Sequence, residues 1–288
     1  MKRLLASLAV ACSLSIVTLS AAQADFASCV AGLRSQAISE GISAGVFDRA
    51  MAGVRPDMDV IKAMNNQPEF KIPIWDYLGA LVDEERVAEG RALLSRHAAT
   101  LAAAESRFGV DRQTIVAVWG VESNYGQVKG RWSLPQALST AACLGPRRNA
   151  FFRGELMATL KIIQRGDLQQ EQLMGSWAGA FGHTQFIPTT YLRLAVDGDG
   201  DGRRDLVASI PDALHSTANF MAKAGWQTGA SWGYEVKVPL GYSGPVGRAS
   251  RAPVSSWAER GLTRVDGTPL TGSGNAGLVY PARGGPGF

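Results

Sequence analysis

The sequence has few of the residues that build metal or redox centres. Its 288 residues include three histidines and three cysteines. The histidines, His97, His183 and His215, fall in separate predicted segments, and no Cys/His spacing matches a zinc site. The sequence also lacks a G-x-S-x-G turn, a phosphate-binding glycine loop and a dinucleotide fingerprint. These absences argue against a zinc enzyme, a G-x-S-x-G hydrolase and a nucleotide-binding protein.

Long apolar runs are missing except at the N-terminus. The basic residues Lys2 and Arg3 precede an apolar run, Leu4 to Leu19, and Ala22-Gln23-Ala24 forms an A-x-A cleavage site. This pattern predicts a secretory signal peptide over residues 1–24 rather than a membrane-spanning helix. No other stretch is long and apolar enough to cross a bilayer. We therefore expect an exported protein without a transmembrane segment.

A lipid anchor at Cys12 is the alternative reading of this N-terminus. The residues before it, Ala9-Val10-Ala11, make a poor lipidation box, and the cysteine stands very early in the chain. Cleavage before Asp25 is therefore favoured over lipidation.

The chain carries only a small net charge. The formal net charge is +4, and removal of Lys2 and Arg3 with the signal peptide lowers it to +2. Nucleic-acid binding usually needs a clustered basic face, so the composition does not predict it. A polyanionic surface such as a cell wall remains compatible with this balance.

Two cysteines, Cys29 and Cys143, remain after the predicted cleavage. An even number of cysteines in an exported chain predicts a disulfide between them. The alternative is a pair of buried free thiols.

The chain is predicted to be mainly α-helical from Phe26 to about Gly225. Apolar residues recur at helical spacing, and residues 79–107 read as one long amphipathic helix. Asp111 is a good N-cap for the helix that follows. Two further helices are predicted over residues 149–164 and 211–224.

Glycine and proline become frequent after Trp226. The stretch YEVKVPL, residues 234–240, alternates like a strand, and residues 252–262 resemble a short helix. We therefore predict a helical region over residues 25–226 and a small, partly β appendage over residues 227–288.

Glu122 stands at the end of the apolar run AVWGV. On a helix it would share a face with Ile115, Val118 and Trp119. Burial beside them and the negative end of the helix dipole would both raise its pKa, as a general acid requires. The alternative is an ordinary glutamate that points into solvent at a helix end.

The segment GSWAGAFGHTQFIPTTY, residues 175–191, is rich in small residues. Small residues allow close approach of backbone or ligand. Ser176 and Gln185 offer hydrogen bonds, and Phe181, Phe186 and Tyr191 offer flat surfaces. This mixture suits a carbohydrate groove, although a tightly packed loop would have the same composition.

The segment VDGDGDGRRDL, residues 196–206, predicts a calcium site. Asp197, Asp199 and Asp201 take positions 1, 3 and 5 of a calcium loop, and the carbonyl of Arg203 takes position 7. The twelfth residue is Ala208 instead of glutamate, so a longer loop closing on Asp212 is the alternative. A solvated acidic turn without a cation is a further reading.

Taken together, the motifs resemble the lytic murein transglycosylases of the membrane-bound B type, within the lysozyme-like superfamily. The matching segments are GVESNYG at 120–126, PRRNAFFRGEL at 146–156, SWAGAFGHTQFIPTTY at 176–191, DGDGDGRRDL at 197–206 with Asp212 behind it, and NNQPEF at 65–70 with Tyr77. The resemblance runs in order from about residue 26 to the C-terminus. It implies a lysozyme-like helical core and a periplasmic enzyme that acts on peptidoglycan glycan strands.

The family chemistry implies one catalytic carboxylate. Such enzymes cleave the β-1,4 bond between N-acetylmuramic acid and N-acetylglucosamine without water, because the 6-hydroxyl of the muramic acid attacks and leaves a 1,6-anhydro sugar. By resemblance, Glu122 first protonates the leaving oxygen and then accepts the proton of the 6-hydroxyl. A lysozyme-like hydrolase and a non-catalytic wall-binding protein are the competing hypotheses.

The resemblance also implies roles for further residues. Substrate contacts are expected at Ser176, Gln185, Arg147, Arg148, Tyr77, Tyr125, Tyr191 and Phe220. The calcium ligands are expected to be Asp197, Asp199, Asp201, the carbonyl of Arg203 and Asp212. Phe220 stands where some relatives have a groove-lining tyrosine. The sequence given ends at ARGGPGF, before the aromatic-rich segment and last helix of relatives, so a shortened C-terminal region is expected.

Overall fold

The computed structural model describes residues 25–67, 71–230, 233–282 and 284–288. The predicted signal peptide lies outside these residues. Helix α1 covers residues 25–39. The helices that follow in the first part of the chain are α2 (Ala44–Ala50), α3 (Met58–Asn65), α4 (Ile74–Leu81), α5 (Glu84–Arg96), α6 (Ala98–Phe108) and α7 (Arg112–Ser123).

The second part of the chain adds five helices and six short strands. The helices are α8 (Leu134–Leu144), α9 (Asn149–Arg165), α10 (Pro188–Leu194), α11 (Ile210–Lys223) and α12 (Val254–Glu259). The strands are β1 (Trp132–Ser133), β2 (Met174–Gly175), β3 (Val236–Lys237), β4 (Ala252–Pro253), β5 (Thr263–Arg264) and β6 (Asn275–Ala276). The prediction of a mainly α protein is confirmed. No helix among the described residues is long and apolar enough to cross a bilayer.

The prediction of one long helix over residues 79–107 is wrong. Helix α4 ends at Leu81, and Asp83 starts α5 because its carboxylate accepts the amide of Arg86 at 2.7 Å. A second break falls at His97, between α5 and α6. The apolar periodicity continues through both breaks, so the sequence pattern did not show them.

The chain divides into two compact units. Among the described residues, the first unit contains residues 25–67, 71 and 81–228, and the second contains residues 72–80, 229–230, 233–282 and 284–288. The sequence pattern placed residues 72–80 in the helical region, whereas in the structure they cluster with the C-terminal residues.

Two hydrophobic clusters build the first unit. One is formed mainly by α1, α2, α3, α8, α9 and α10, and includes Phe152 and Phe181. The other is formed by α5, α6, α7 and α11 around Trp119 and Leu214. The predicted disulfide is present: Cys29 on α1 is bonded to Cys143 on α8, with a Cα–Cα distance of 5.8 Å.

The second unit has a small core of its own, formed by Val236, Trp257, Leu262 and Leu278. Antiparallel pairs join β3 to β5 and β4 to β6. The strand predicted over residues 234–240 is shorter than expected, since only Val236 and Lys237 pair in it. The short helix predicted within residues 252–262 is α12.

Candidate active site

Helix α7 carries Glu122 as its penultimate residue. The helix starts at the predicted cap, where the Asp111 carboxylate accepts the amide of Thr114 at 2.8 Å. It ends abruptly because Asn124 and Tyr125 both adopt left-handed conformations, with φ of 48° and 57°. Two consecutive non-glycine residues in this region are unusual and require support from the surrounding structure.

The buried face of α7 does not include Glu122. Ile115 and Trp119 point into the second cluster with 0% and 2% exposure, whereas the Glu122 side chain is accessible to solvent. Glu122 therefore lies at the edge of the apolar face, one turn after the half-buried Val118. The expectation that it shares the face of Ile115 and Trp119 needs this correction.

The carboxylate of Glu122 has no hydrogen-bond or ion-pair partner among the described residues. Burial alone raises the pKa of its carboxyl group above the ordinary value. Glu122 is exposed as a residue, yet enough protein surrounds its carboxyl group to disfavour the charged form. No neighbouring acidic group contributes to the shift.

The small-residue segment folds into a compact turn after β2. The Ser176 hydroxyl oxygen accepts the amides of Ala178 and Ala180 at 3.3 and 3.0 Å. Strand β2 pairs with β1, so that Gly175 lies opposite Trp132. Gly130 packs directly against the backbone of Gly175, where any Cβ atom would overlap it. Gly175 therefore serves close backbone packing, and the groove interpretation of the segment stays a prediction.

Gln185 occupies a left-handed conformation with φ of 51°. Its side-chain amide donates to the carbonyls of Gly182 at 3.0 Å and Lys129 at 3.2 Å. The segment after α7 and the small-residue turn are thus held together, which brings the chain around Glu122 and the chain around Gln185 into one region.

His183 links the two segments, and the sequence did not single it out. Its Nδ1 accepts the indole N–H of Trp119 at 3.1 Å, and its carbonyl accepts the Ser123 hydroxyl. Ser123 in turn accepts the amide of Gly126 at 2.8 Å. The signal available in the sequence was a histidine inside a small-residue motif, which by itself does not indicate a partner.

Arg147 and Arg148 lie on the exposed approach to α9. The Arg147 guanidinium donates to the carbonyl of Met64 at 2.5 Å and to Gln67 Oε1 at 3.2 Å. The Arg148 guanidinium lies 4.2 Å from the centre of the Phe151 ring. Met64 on α3 and Gln67 just after it both accept from Nη2 of Arg147, so this nitrogen is partly used in the fold.

The predicted aromatic contacts fall into different environments. Tyr191 is fully buried, and its hydroxyl donates to the carbonyl of Arg204. The prediction that Tyr191 contacts substrate is therefore wrong, because its ring is part of the core. Phe220 is exposed and packs edge-on against Phe186, with ring centres 5.8 Å apart. Tyr77 belongs to the second unit.

Tyr125 is wedged between α5 and α7. Its hydroxyl donates to the carbonyl of Arg86 at 2.7 Å, and a Cβ atom at Gly120 would lie 2.7 Å from its ring. Its ring also packs edge-on against Trp119, with centres 5.7 Å apart. These contacts support the turn after Glu122, and a substrate contact for Tyr125 remains a prediction.

Three of the predicted calcium ligands converge. Oxygens of Asp197, Asp199 and Asp212 all lie within 4.8 Å of one another. Asp212 is 1% exposed, and burial raises the pKa of its carboxyl group. Its oxygens accept the amides of Gly198 and Asp205 at 2.7 and 2.6 Å. This arrangement favours the longer loop that closes on Asp212.

The side chain of Asp201 is not part of this three-carboxylate group. Asp201 caps the turn by accepting the amide of Arg203 at 2.8 Å. Its role and that of the Arg203 carbonyl remain predictions.

The end of this acidic loop contacts the site directly. The amide of His183 donates to the carbonyl of Leu206 at 2.9 Å, and Lys129 Nζ donates to the carbonyl of Val207 at 2.9 Å. The loop therefore supports both segments that surround Glu122.

The fold is that of the lysozyme-like transglycosylases. The chain matches the family model of the Transglycosylase SLT domain over residues 25–287, and it belongs to that family. It is 29% identical over 203 residues to the membrane-bound lytic murein transglycosylase B of Escherichia coli. That alignment covers 66% of this chain and 56% of the relative, so the chain spans little more than half of the relative's length.

Solved structures agree over most of the chain. SltB3 from Pseudomonas aeruginosa in complex with NAG-anhNAM-pentapeptide is 44% identical, with a TM-score of 0.85 over 91% of this chain and 71% of that chain. Slt35 from Escherichia coli in complex with calcium is 27% identical, with a TM-score of 0.79 over 90% of this chain and 82% of that chain. The predicted resemblance and fold class are confirmed.

Proposed function

We propose that this protein is a peptidoglycan lytic transglycosylase with Glu122 as its catalytic acid and base. The observation that carries the proposal is the Glu122 carboxyl group: it is accessible, unpartnered among the described residues and raised in pKa by burial. A general acid needs this combination, because a raised pKa favours the protonated form, which can donate its proton to a leaving oxygen. Similarity to SltB3, solved with NAG-anhNAM-pentapeptide, supports peptidoglycan as the substrate.

The proposed reaction needs one carboxyl group, used twice. Glu122 donates its proton to the glycosidic oxygen as the bond from that oxygen to C1 of N-acetylmuramic acid breaks. The 6-hydroxyl of the same sugar then bonds to C1, and its proton passes to the Glu122 carboxylate. The products are a free N-acetylglucosamine 4-hydroxyl and a 1,6-anhydro end, and the enzyme returns to its starting protonation state.

The electrostatics of Glu122 support a single-carboxylate mechanism. Ordinary glycosidases hold two carboxyl groups roughly 5 to 9.5 Å apart. A second carboxylate at the shorter distance would raise the pKa of Glu122 by charge repulsion. Burial is the sole cause of the shift here. The substrate acetamido group would supply the stabilisation that a second carboxylate gives elsewhere.

Substrate binding is proposed along the surface that flanks Glu122. Ser176 and Gln185 are half-buried, with polar groups at the compact turn beside α7. Arg147 and Arg148 are exposed and suit the carboxylates of a peptide stem, because guanidinium groups pair well with carboxylates. Phe220 offers an exposed ring. Tyr77 belongs to the second unit, and its role as a stacking residue stays a prediction.

Calcium is proposed as a structural ion of the acidic loop. The residues fit it, since three carboxylates converge and one of them is buried, an arrangement that repels itself without a cation. Asp197, Asp199 and Asp212 would hold the ion, with Asp201 and the Arg203 carbonyl completing the set. When bound, the cation would neutralise these charges and fix the loop. Slt35, solved with calcium, supports the assignment.

The proposed location is the periplasm. The predicted signal peptide supports export, and the relative in Escherichia coli is described as a membrane-bound murein enzyme. Glycan strands of peptidoglycan are the proposed partner.

Mass spectrometry of digested peptidoglycan sacculi tests the function. We expect 1,6-anhydro-muropeptides from the parent protein and none from Glu122→Gln. Reducing-end products from the parent would identify a hydrolase instead. Equal lysis by the parent and Glu122→Gln would overturn the assignment of Glu122.

A further inference from the structure

One buried histidine, His183, makes several of the contacts around the end of α7, where Glu122 lies. His183 is 8% exposed, and its ring packs edge-on against Trp119, with ring centres 5.5 Å apart. Its Nδ1 accepts the Trp119 indole N–H, so Nδ1 carries no proton and the ring is neutral with its hydrogen on Nε2. Burial and the nearby charge of Lys129 lower the pKa of His183 to about 4, in agreement with a neutral ring.

The backbone of the same residue holds the end of α7. The carbonyl of His183 accepts the hydroxyl of Ser123, the residue immediately after Glu122. The Ser123 hydroxyl oxygen also accepts the amide of Gly126, closing the left-handed turn. Gly126 lies against the ring itself, since a Cβ atom there would overlap Nδ1. His183 therefore contacts α7 before Glu122, after Glu122 and at the close of the turn.

The position of His183 is fixed from its other side. Its amide donates to the carbonyl of Leu206 at 2.9 Å, in the segment that leaves the acidic loop. No hydrogen bond joins the ring of His183 to Glu122, and neither group shifts the pKa of the other, so we assign the histidine no direct part in proton transfer at Glu122.

We propose that His183 is a positioning residue for Glu122, and that its bonds to Trp119 and Ser123 fix the last turn of α7 in the orientation that the reaction requires. This inference rests on the proposed function. The left-handed conformations of Asn124 and Tyr125 cost roughly 1–3 kcal/mol each for such residues. Tyr125 is also held by its bond to the Arg86 carbonyl and by packing on Trp119, so His183 is one of several supports of this turn. Without its Nδ1 acceptor the Trp119 side of the turn would relax, while the backbone bond from Ser123 remains, and the Glu122 carboxyl group would move toward solvent.

Three substitutions separate positioning from simple packing. His183→Leu removes the acceptor and keeps an apolar side chain of similar size. His183→Asn keeps an acceptor near the position of Nδ1. His97→Leu is the matched control, because the His97 ring also packs edge-on against Trp119, with centres 5.7 Å apart, and makes no hydrogen bond to its indole.

Kinetics on purified sacculi give the first measurement. We expect His183→Leu to lower kcat about 10- to 100-fold with KM within about twofold, since misplacing a catalytic group affects the chemical step. His183→Asn should recover most of the lost kcat, and His97→Leu should match the parent. Parental kcat in His183→Leu, or equal losses in His183→Leu and His97→Leu, would overturn the proposal.

A titration of the Glu122 carboxyl group gives a second measurement that needs no activity. Carbon NMR of the glutamate carboxyl groups should show the pKa of Glu122 moving toward its ordinary value in His183→Leu, and staying at the parental value in His183→Asn and His97→Leu. An unchanged titration in His183→Leu would refute the positioning role. If the parent fails to lyse sacculi while the titration behaves as expected, the proposed function fails and the positioning role stands.

Discussion

Gly126 lies directly against the imidazole ring of His183, with no room for a side chain between the backbone and Nδ1. Gly126 also has a left-handed φ of +84°. Both features follow from the turn that ends α7 immediately after Glu122, so this glycine is required by conformation and by contact.

Replacement of Gly126 by alanine should therefore disturb both stability and activity. The left-handed conformation costs roughly 1–2 kcal/mol for a residue with a Cβ atom, and the overlap with His183 adds to it. We expect the free energy of unfolding to fall by at least about 2 kcal/mol in urea titrations, with a loss of kcat.

Gly154→Ala is the matched control for that substitution. Gly154 is exposed in the middle of α9, and a Cβ atom there meets nothing within 4 Å. Alanine should raise stability by roughly 0.5–1 kcal/mol, because it restricts the unfolded chain and favours helix. A stable, active Gly126→Ala protein would contradict the close approach to His183.

Glu122→Gln should lower lytic activity about 10²- to 10⁴-fold, the range typical for loss of a general acid or base. Glutamine preserves the shape of the side chain but cannot donate or accept the proton. Turbidity loss of sacculi and release of muropeptides measure the effect. Glu85→Gln, at an exposed position of α5, is the matched control and should retain parental activity.

The same substitution should change the dependence of stability on pH. The folded-state pKa of Glu122 is raised, so folding favours the protonated form, and its contribution is fully present below the ordinary glutamate value. This contribution is lost as pH rises from that value through the folded-state pKa, because the folded protein must then hold a charged, poorly solvated Glu122 carboxylate.

We therefore expect the melting temperatures of the parent and Glu122→Gln to be similar in acid. Above the folded-state pKa, Glu122→Gln should melt at the higher temperature. Thermal unfolding followed by circular dichroism across this range is the measurement. A difference in melting temperature between the two proteins that is the same at every pH would show that burial does not raise the pKa of the Glu122 carboxyl group.

Calcium should stabilise the protein through the acidic loop. A ligand that binds the folded state at about 100 times its dissociation constant adds roughly 2.7 kcal/mol. The melting temperature should rise with added calcium and fall again with a chelator. Asp212→Asn should abolish the shift, because it removes the buried member of the three carboxylates. Glu171→Gln, exposed and outside the loop, should leave the shift intact.

Removal of the disulfide should destabilise the first unit. Cys29 and Cys143 are 114 residues apart, and closing a loop of this size is worth about 4–5 kcal/mol on the chain-entropy model. Measured effects are usually smaller, so we expect a loss of roughly 2–4 kcal/mol for the double alanine variant in urea unfolding. Adding a reductant should lower the stability of the parent and leave that of the double variant unchanged.

Local signals in the sequence predicted much of the helical framework. The Asp111 cap, the end of α7 near Glu122 and the short helix α12 all depend on residues close together in the chain. The two breaks at Asp83 and His97 were missed because amphipathic spacing continues through them. The burial of Tyr191 was missed because an aromatic residue in a glycine-rich segment fits a groove or a core equally well.

The sequence by itself determined the class of protein, the candidate acid and the acidic loop, because each depends on particular residue types at short, fixed spacings in the chain. The tertiary structure decided the environment of Glu122, the closure of the loop by Asp212 and the role of His183. The role of His183 depends on contacts between segments 64 residues apart, as between Trp119 and His183, and the closure of the loop depends on Asp212 folding back onto Gly198, 14 residues earlier. Periodicity and local motifs carry no information about such contacts, because packing brings these segments together only when the chain folds.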